Sequence, residues 1–199
     1  MSLYCAFALF KVFKDKCLQK MIDYYNGKYT EVVRMDPTVK HNLVDNVKLL
    51  FTEPTHVIDN IYIGNSLNAS NYYELSDRGI THIINVSEEI SNYFPDDFEY
   101  YRIPVSDTND ASLENYFPDA LNFIDRAREY DFGRNVLIHC FMGSSRSATI
   151  VLIYLIRVHN MTFDEAYSFL KNLRPVVNLN VTFADELRDV EKNIRETWI

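Results

Sequence analysis

Tryptophan occurs once in the 199 residues, cysteine three times, glycine five times and proline six times. Cys5, Cys17 and Cys140 are too few and too irregularly spaced for a disulfide framework. There is no CxxC pair, so no zinc site is expected. The same cysteine usage points to a reducing, cytoplasmic setting. Basic residues are in deficit, 20 against 28 acidic, for a formal net charge of −8. A chain without a basic surplus is a poor partner for nucleic acid or an anionic membrane, although a local anion pocket stays open to it. No run approaches the ~20 apolar residues that span a bilayer. The apolar stretch MSLYCAFALF lacks the features of a signal peptide. Its basic residues Lys11, Lys14 and Lys16 come after it, and no small-residue cleavage pattern follows, so no targeting segment is expected. The 47% apolar and 24% charged residues describe an ordinary globular chain and exclude disordered, collagenous and rod-like classes.

The apolar pattern changes character near Pro54. Before it, Leu3, Phe7, Phe10, Cys17, Met21 and Tyr24 recur at helical spacing. A second helix is expected from Asp36-Pro37, with Val39, Leu43, Val47 and Leu50 along one stripe. Residues 1–53 therefore read as a helical extension. After it, Val57–Ile63 reads as a hairpin around Asp59-Asn60. Asn68–Arg78 reads as a helix stopped by Gly79. His82–Val86, Tyr100–Val105 and Asn135–His139 read as strands. Leu113–Tyr130, Ser145–His159, Thr162–Asn172 and a segment from Phe183 to Trp198 read as helices, with Thr162 and Glu165 forming a capping box. Alternating strands and helices predict an α/β domain over residues 54–199 with a largely parallel sheet.

One loop carries the chemistry: His139-Cys140-Phe141-Met142-Gly143-Ser144-Ser145-Arg146-Ser147 joins the strand NVLIH to the helix ATIVLIYLI. A loop running from a strand's end into a helix N-terminus presents backbone N–H groups and the positive end of the helix dipole. Between Cys140 and Arg146 the chain is long enough to curl into a cradle for a tetrahedral dianion. Arg146 can grip two of its oxygens, and Gly143 supplies the tight turn. The same field favours the thiolate of Cys140. A thiolate beneath a phosphate cradle is a nucleophile for phosphoryl transfer. Ser147 can donate a hydrogen bond to the sulfur and help it leave again. Departure of the substrate oxygen needs a proton, for which Asp107 on the loop after Ile103-Pro104-Val105 is the candidate and Asp110 its rival.

HCFMGSSRS fits the HCxxGxxR[ST] signature of cysteine-dependent protein tyrosine phosphatases, a match expected by chance with a frequency on the order of 10⁻⁴ in such a chain. With the segments IYIGN, GITHIINVS, IPVSD, FPDALNFIDRA and MTFDEAYSFLKNLRP in the same order, residues 54–198 resemble the dual-specificity phosphatase subfamily, its small atypical members included. The resemblance implies that family's fold, a central mixed, largely parallel sheet flanked by helices, and a two-step mechanism through a cysteinyl phosphate, with no metal or cofactor. It implies Cys140 as nucleophile, Arg146 as phosphate-binding arginine, Ser147 as assisting hydroxyl and His139 as a residue tuning the thiolate. It implies Asp107 as general acid, 33 residues before Cys140, and Asn180 in a supporting role. It implies Phe141, Met142, Gly143, Ser144, Ser145 and Arg146 as the phosphate-binding loop.

The expected substrates are proteins bearing phosphotyrosine and phosphoserine or phosphothreonine. A phosphoinositide or RNA 5′-phosphate phosphatase is the alternative, but such relatives tend to carry lysine or arginine within the loop, where this chain has neutral Phe141, Met142, Ser144 and Ser145. A phosphopeptide-binding pseudophosphatase usually lacks the cysteine, the arginine or the acid, and all of these are present. The apolar stripe within residues 1–53 requires a cover, either the catalytic domain or a second copy in a homodimer.

Overall fold

The structure, a computed structural model, describes residues 52–129 and 134–196. The helices expected within residues 1–53, together with Cys5 and Cys17, fall outside the described residues, as does Trp198. In chain order the elements are β1 (Thr55–Ile58), β2 (Ile61–Gly64), α1 (Ser66–Ala69), α2 (Tyr72–Asp77), β3 (Ile80–Asn85) and β4 (Glu99–Arg102). There follow a 3-10 turn (Glu114–Tyr116), α3 (Phe117–Glu129), β5 (Asn135–His139), α4 (Arg146–Val158), α5 (Phe163–Leu173) and α6 (Val181–Glu196).

The strands form one sheet in the order β1-β2-β5-β3-β4. The β1–β2 hairpin is antiparallel, and every other pairing is parallel. Alternation along the inner strands explains the layers on either side. Ile61, Ile63, Ile84, Val136 and Ile138 face one core, which α3, α4, α5 and α6 cover. Their neighbours Ile83 and Leu137 point to the opposite face, where Ala69, Leu75 and Ile80 form a second, smaller core. A strand buried on both faces needs a continuous apolar run, and β5 has it in NVLIH. Helix α4 is packed against the sheet and its neighbouring helices, so every residue from Arg146 to Ile156 is buried. Among the described residues no helix is long and apolar enough to cross a membrane.

Several elements differ from the sequence pattern. The helix expected over Asn68–Arg78 is two short ones, because Asn65 caps the first and the Asn71 side chain starts the second by accepting from the Glu74 N–H. The strand expected over Tyr100–Val105 is Glu99–Arg102. Pro104 has no N–H to extend the ladder, and the Val105 N–H turns back onto the Ile103 carbonyl. The helix expected from Leu113 begins as a 3-10 turn and becomes α-helical at Phe117, with Pro118 in the first turn. The hairpin, β5, α4 and the Thr162–Glu165 capping box stand where expected.

Asn65 links this scaffold to the loop after β5. Its side chain accepts from the Leu67 and Asn68 N–H groups, and its own N–H donates to Asn68. The Ser66 N–H that follows donates to the Phe141 carbonyl at 3.2 Å. Asn65→Ala is expected to cost about 1–2 kcal/mol of stability in urea denaturation, the usual loss for a helix cap.

Candidate active site

The loop from Cys140 to Ser145 leaves β5 at the carboxyl end of the parallel strands and enters α4. Its shape follows from where its carbonyls go. The Phe141 carbonyl accepts from the Ser66 N–H, and the Ser144 carbonyl accepts from the Asn178 N–H at 2.9 Å. The Gly143 carbonyl accepts from Arg174 Nε at 2.9 Å. Across a trans peptide the N–H points opposite to the carbonyl. Pinning these carbonyls outward therefore turns the N–H groups of Met142, Ser144 and Ser145 toward the concave side. Gly143 sits at φ +70°, and a Cβ there would lie 2.5 Å from the Gly64 carbonyl oxygen and 2.6 Å from Arg174 Nη2. Glycine alone meets both demands.

Cys140 lies at the floor, 1% exposed. Its Sγ accepts from the Gly143 N–H at 3.2 Å and from the Ser147 hydroxyl at 3.3 Å. Both bonds stabilise an anionic sulfur more than a neutral one. Ser147 lies within α4; the residue that caps the helix is Ser145, whose hydroxyl makes no capping bond because it donates to Asp107.

Arg146 is 4% exposed and is held by a residue that the sequence reading did not single out. Nη1 and Nη2 donate to the two carboxylate oxygens of Glu89 at 2.8 and 2.6 Å, and Nη1 also donates to the Val105 carbonyl at 3.0 Å. Of the guanidinium's five donors, this leaves Nε–H and the second hydrogen of Nη2 on the side edge. Nε is buried without a hydrogen-bond partner. Burial works against ionisation of Glu89, but the hydrogen bonds and charge of Arg146 prevail and hold its carboxyl below the usual range. Burial likewise disfavours the Arg146 cation, and Glu89, Cys140 and Asp107 more than restore it. Glu89 lies just past the end of β3, the crevice end of a parallel sheet. That position was the one signal that could have marked it.

Asp107 joins the site and Asp110 does not. Asp107 Oδ1 accepts from the Ser145 hydroxyl at 2.8 Å and from Asn180 Nδ2 at 3.3 Å, while Oδ2 lies 3.9 Å from Arg146 Nε. Asp110 is exposed. Asn180 also donates to the Thr108 carbonyl, so it holds the acid's loop as well as its carboxylate. His139 is fully buried, with Nδ1 3.4 Å from the Cys140 carbonyl oxygen and Nε2 without a partner. Its contact is with the backbone of Cys140, not the sulfur. Arg174, 2% exposed, completes the underside of the loop. Among the described residues no group of His, Cys, Asp and Glu could hold a metal ion. The arrangement suits a tetrahedral anion gripped by inward N–H groups and the Arg146 side edge, above a sulfur nucleophile.

Comparison with known proteins gives concordant results. The family model "Dual specificity phosphatase, catalytic domain" matches residues 61–193. The chain is 36% identical over 178 residues to the Arabidopsis thaliana protein "Dual specificity protein phosphatase 1", covering 87% of this chain and 86% of that one. It is 34% identical over 168 residues to the Drosophila melanogaster "Protein phosphatase Slingshot", covering 82% of this chain but only 16% of that much longer protein. The crystal structure of DUSP15 superposes with a TM-score of 0.65 at 32% identity, over 73% of this chain and 94% of that one.

Burial pushes the His139 imidazole down from 6.5 to about 4, partly offset by the Cys140 carbonyl. The folded protein therefore keeps it neutral where the unfolded chain protonates it. Above pH 6.5 neither form is charged, and His139 adds no pH dependence. As pH falls from 6.5 to about 4 the unfolded state gains the proton, and stability is lost. Denaturation at stepped pH should show His139→Gln losing less stability than wild type across that window, by on the order of 3 kcal/mol.

Proposed function

The chain belongs to the dual-specificity phosphatase family and carries that family's cysteine-dependent phosphatase domain; we propose that it hydrolyses phosphotyrosine and phosphoserine or phosphothreonine in proteins. The observation that carries this reading is the sulfur of Cys140 at the floor of a loop whose carbonyls are pinned outward, with a half-engaged arginine at its rim. The cradle's N–H groups and the Nε/Nη2 edge of Arg146 bind the phosphate oxygens. Cys140 Sγ forms a bond to phosphorus as the bond from phosphorus to the substrate oxygen breaks, and Asp107 gives that oxygen its proton. Water then attacks the phosphocysteine and yields a proton to the Asp107 carboxylate. The sulfur departs as thiolate, stabilised by the Ser147 hydroxyl and the Gly143 N–H. Asn180 and Ser145 orient Asp107, and His139 steadies the Cys140 backbone.

The neutral side chains of Phe141, Met142, Ser144 and Ser145, with Glu89 and Asp107 as the nearby acids, support singly phosphorylated protein side chains over polyphosphorylated lipids or RNA ends. A reducing, cytoplasmic setting is part of the same proposal, because a nucleophilic thiolate is lost to oxidation elsewhere. The net charge of −8 supports neither nucleic acid nor an anionic membrane as partner. We infer from the apolar stripe of residues 1–53 alone that the protein forms a homodimer through that segment.

Cys140→Ser is expected to abolish turnover while retaining vanadate binding. Asp107→Asn should lower kcat by about 10²–10⁴-fold for poor leaving groups and much less for p-nitrophenyl phosphate. A crippled Asp110→Asn beside a near wild-type Asp107→Asn would reverse the assignment of the acid. Light scattering of the full chain at micromolar concentration should give the mass of a dimer, and a chain starting at Pro54 that of a monomer. A monomeric full chain removes the dimer.

A further inference from the structure

Arg174 is buried beneath the loop, 2% exposed, yet it makes no ion pair with any carboxylate among the described residues. Its Nε donates to the Gly143 carbonyl at 2.9 Å and its Nη1 to the Thr55 hydroxyl at 3.2 Å; its Nη2 is buried with no partner. A buried guanidinium bonded only to neutral oxygens is costly unless an anion balances it. The charges around Cys140 show which anion that is. Arg146, from α4, is matched by the bidentate carboxylate of Glu89, from the loop after β3, with the Asp107 carboxylate also nearby. His139, from β5, is kept neutral by burial. Arg174, following α5, is then a cation without a carboxylate partner among the described residues, and Gly143, bonded to both, links it to the Cys140 thiol.

We propose that Arg174 is a positioning residue: its buried charge, without a carboxylate partner among the described residues, favours negative charge on the Cys140 sulfur, and its bond to the Gly143 carbonyl steadies the residue whose N–H donates to that sulfur. The two effects converge on one residue: Gly143 donates to Sγ with its N–H and accepts from Arg174 with its carbonyl. Burial pulls the Arg174 guanidinium down to about 10, with Cys140 acting in the opposite sense, so it remains charged at neutral pH. Arg146 alone serves less well as the thiolate's counter-charge, because Glu89 cancels it and the incoming phosphate claims its free edge. The inference rests on the reading of Cys140 as nucleophile, but it is measured without turnover.

The test is the rate at which iodoacetamide alkylates Cys140 in the full chain, at pH 6 and at pH 9, with thermal melts confirming the fold. Arg174→Gln should slow alkylation at pH 6 by about tenfold, the weight of one nearby charge, and leave the rate at pH 9 within about twofold. Arg174→Lys, which keeps the charge, and Thr55→Ala, which removes only a neutral partner, should both keep the wild-type ratio of the two rates. A merely structural role would lower melting temperature without moving that ratio. Wild-type alkylation at pH 6 in Arg174→Gln overturns the proposal. Should Arg174→Gln not fold, a tenfold loss at pH 6 in Arg174→Lys overturns it instead, and an unchanged ratio there supports it. Loss of the nucleophile reading itself would show separately, as turnover surviving in Cys140→Ser.

Discussion

The outward pinning of three carbonyls, those of Phe141, Gly143 and Ser144, is the constraint on which the site depends. Left alone, a short loop ahead of a helix would point its carbonyls wherever water reached them. Here each is taken by a donor from a different part of the fold: the start of α1, the end of α5 and the loop before α6. Because a peptide's N–H and C=O oppose one another, fixing the outside of the loop also fixes its inside. An array of inward N–H groups costs free energy without an anion, so it must be held from elsewhere, and the packed α/β framework supplies the holding. Gly143 is the residue where the constraints meet. Its positive φ, the Gly64 carbonyl standing where a Cβ would go, and its bonds to Sγ and to Arg174 leave no room for a side chain.

Charge is distributed around this cradle so that each ion has a defined task. Glu89 occupies the end of the Arg146 guanidinium and leaves its side edge for an anion, which orients the arginine before any substrate arrives. Asp107 is shared between Ser145 and Asn180, so the acid is anchored both to the cradle and to the residue that opens α6. A tetrahedral dianion entering the cradle meets the side edge of Arg146 and the helix terminus, while Glu89 and Asp107 limit the net positive charge. That balance fits a monophosphate better than a polyphosphate.

Much of the framework was legible in the sequence because local and global preferences agree there. NVLIH could be buried on both faces only in the middle of a parallel sheet, and Asp59-Asn60 between apolar runs forms the expected turn. The spacing from His139 to Ser147 points to Cys140, Arg146 and Ser147 as one group, and the Ser147 hydroxyl donates to Cys140 Sγ. What escaped was tertiary. Glu89 is one of 28 acidic residues, and nothing local distinguishes it from Glu88 beside it until the fold brings Arg146 within reach. Arg174 stands in an ordinary helix-ending Leu-Arg-Pro, and its burial is decided by Thr55 and Gly143, far away in sequence. The break at Ser70-Asn71 was hidden because helical periodicity continues through it, while the Asn71 side chain offers the backbone a competing bond.

The central claim, a thiolate in an anion cradle that takes the phosphoryl group onto itself, has a direct measurement. Wild-type protein is mixed with a phosphotyrosyl peptide, quenched within milliseconds and digested, and the peptides are weighed by mass spectrometry under conditions that preserve phosphothiolates. The predicted result is the added mass of a phosphoryl group on the peptide containing Cys140, appearing and decaying with turnover and longer-lived in Ser147→Ala. Steady turnover with no phosphoryl group on Cys140, or with the group on another side chain, would contradict it.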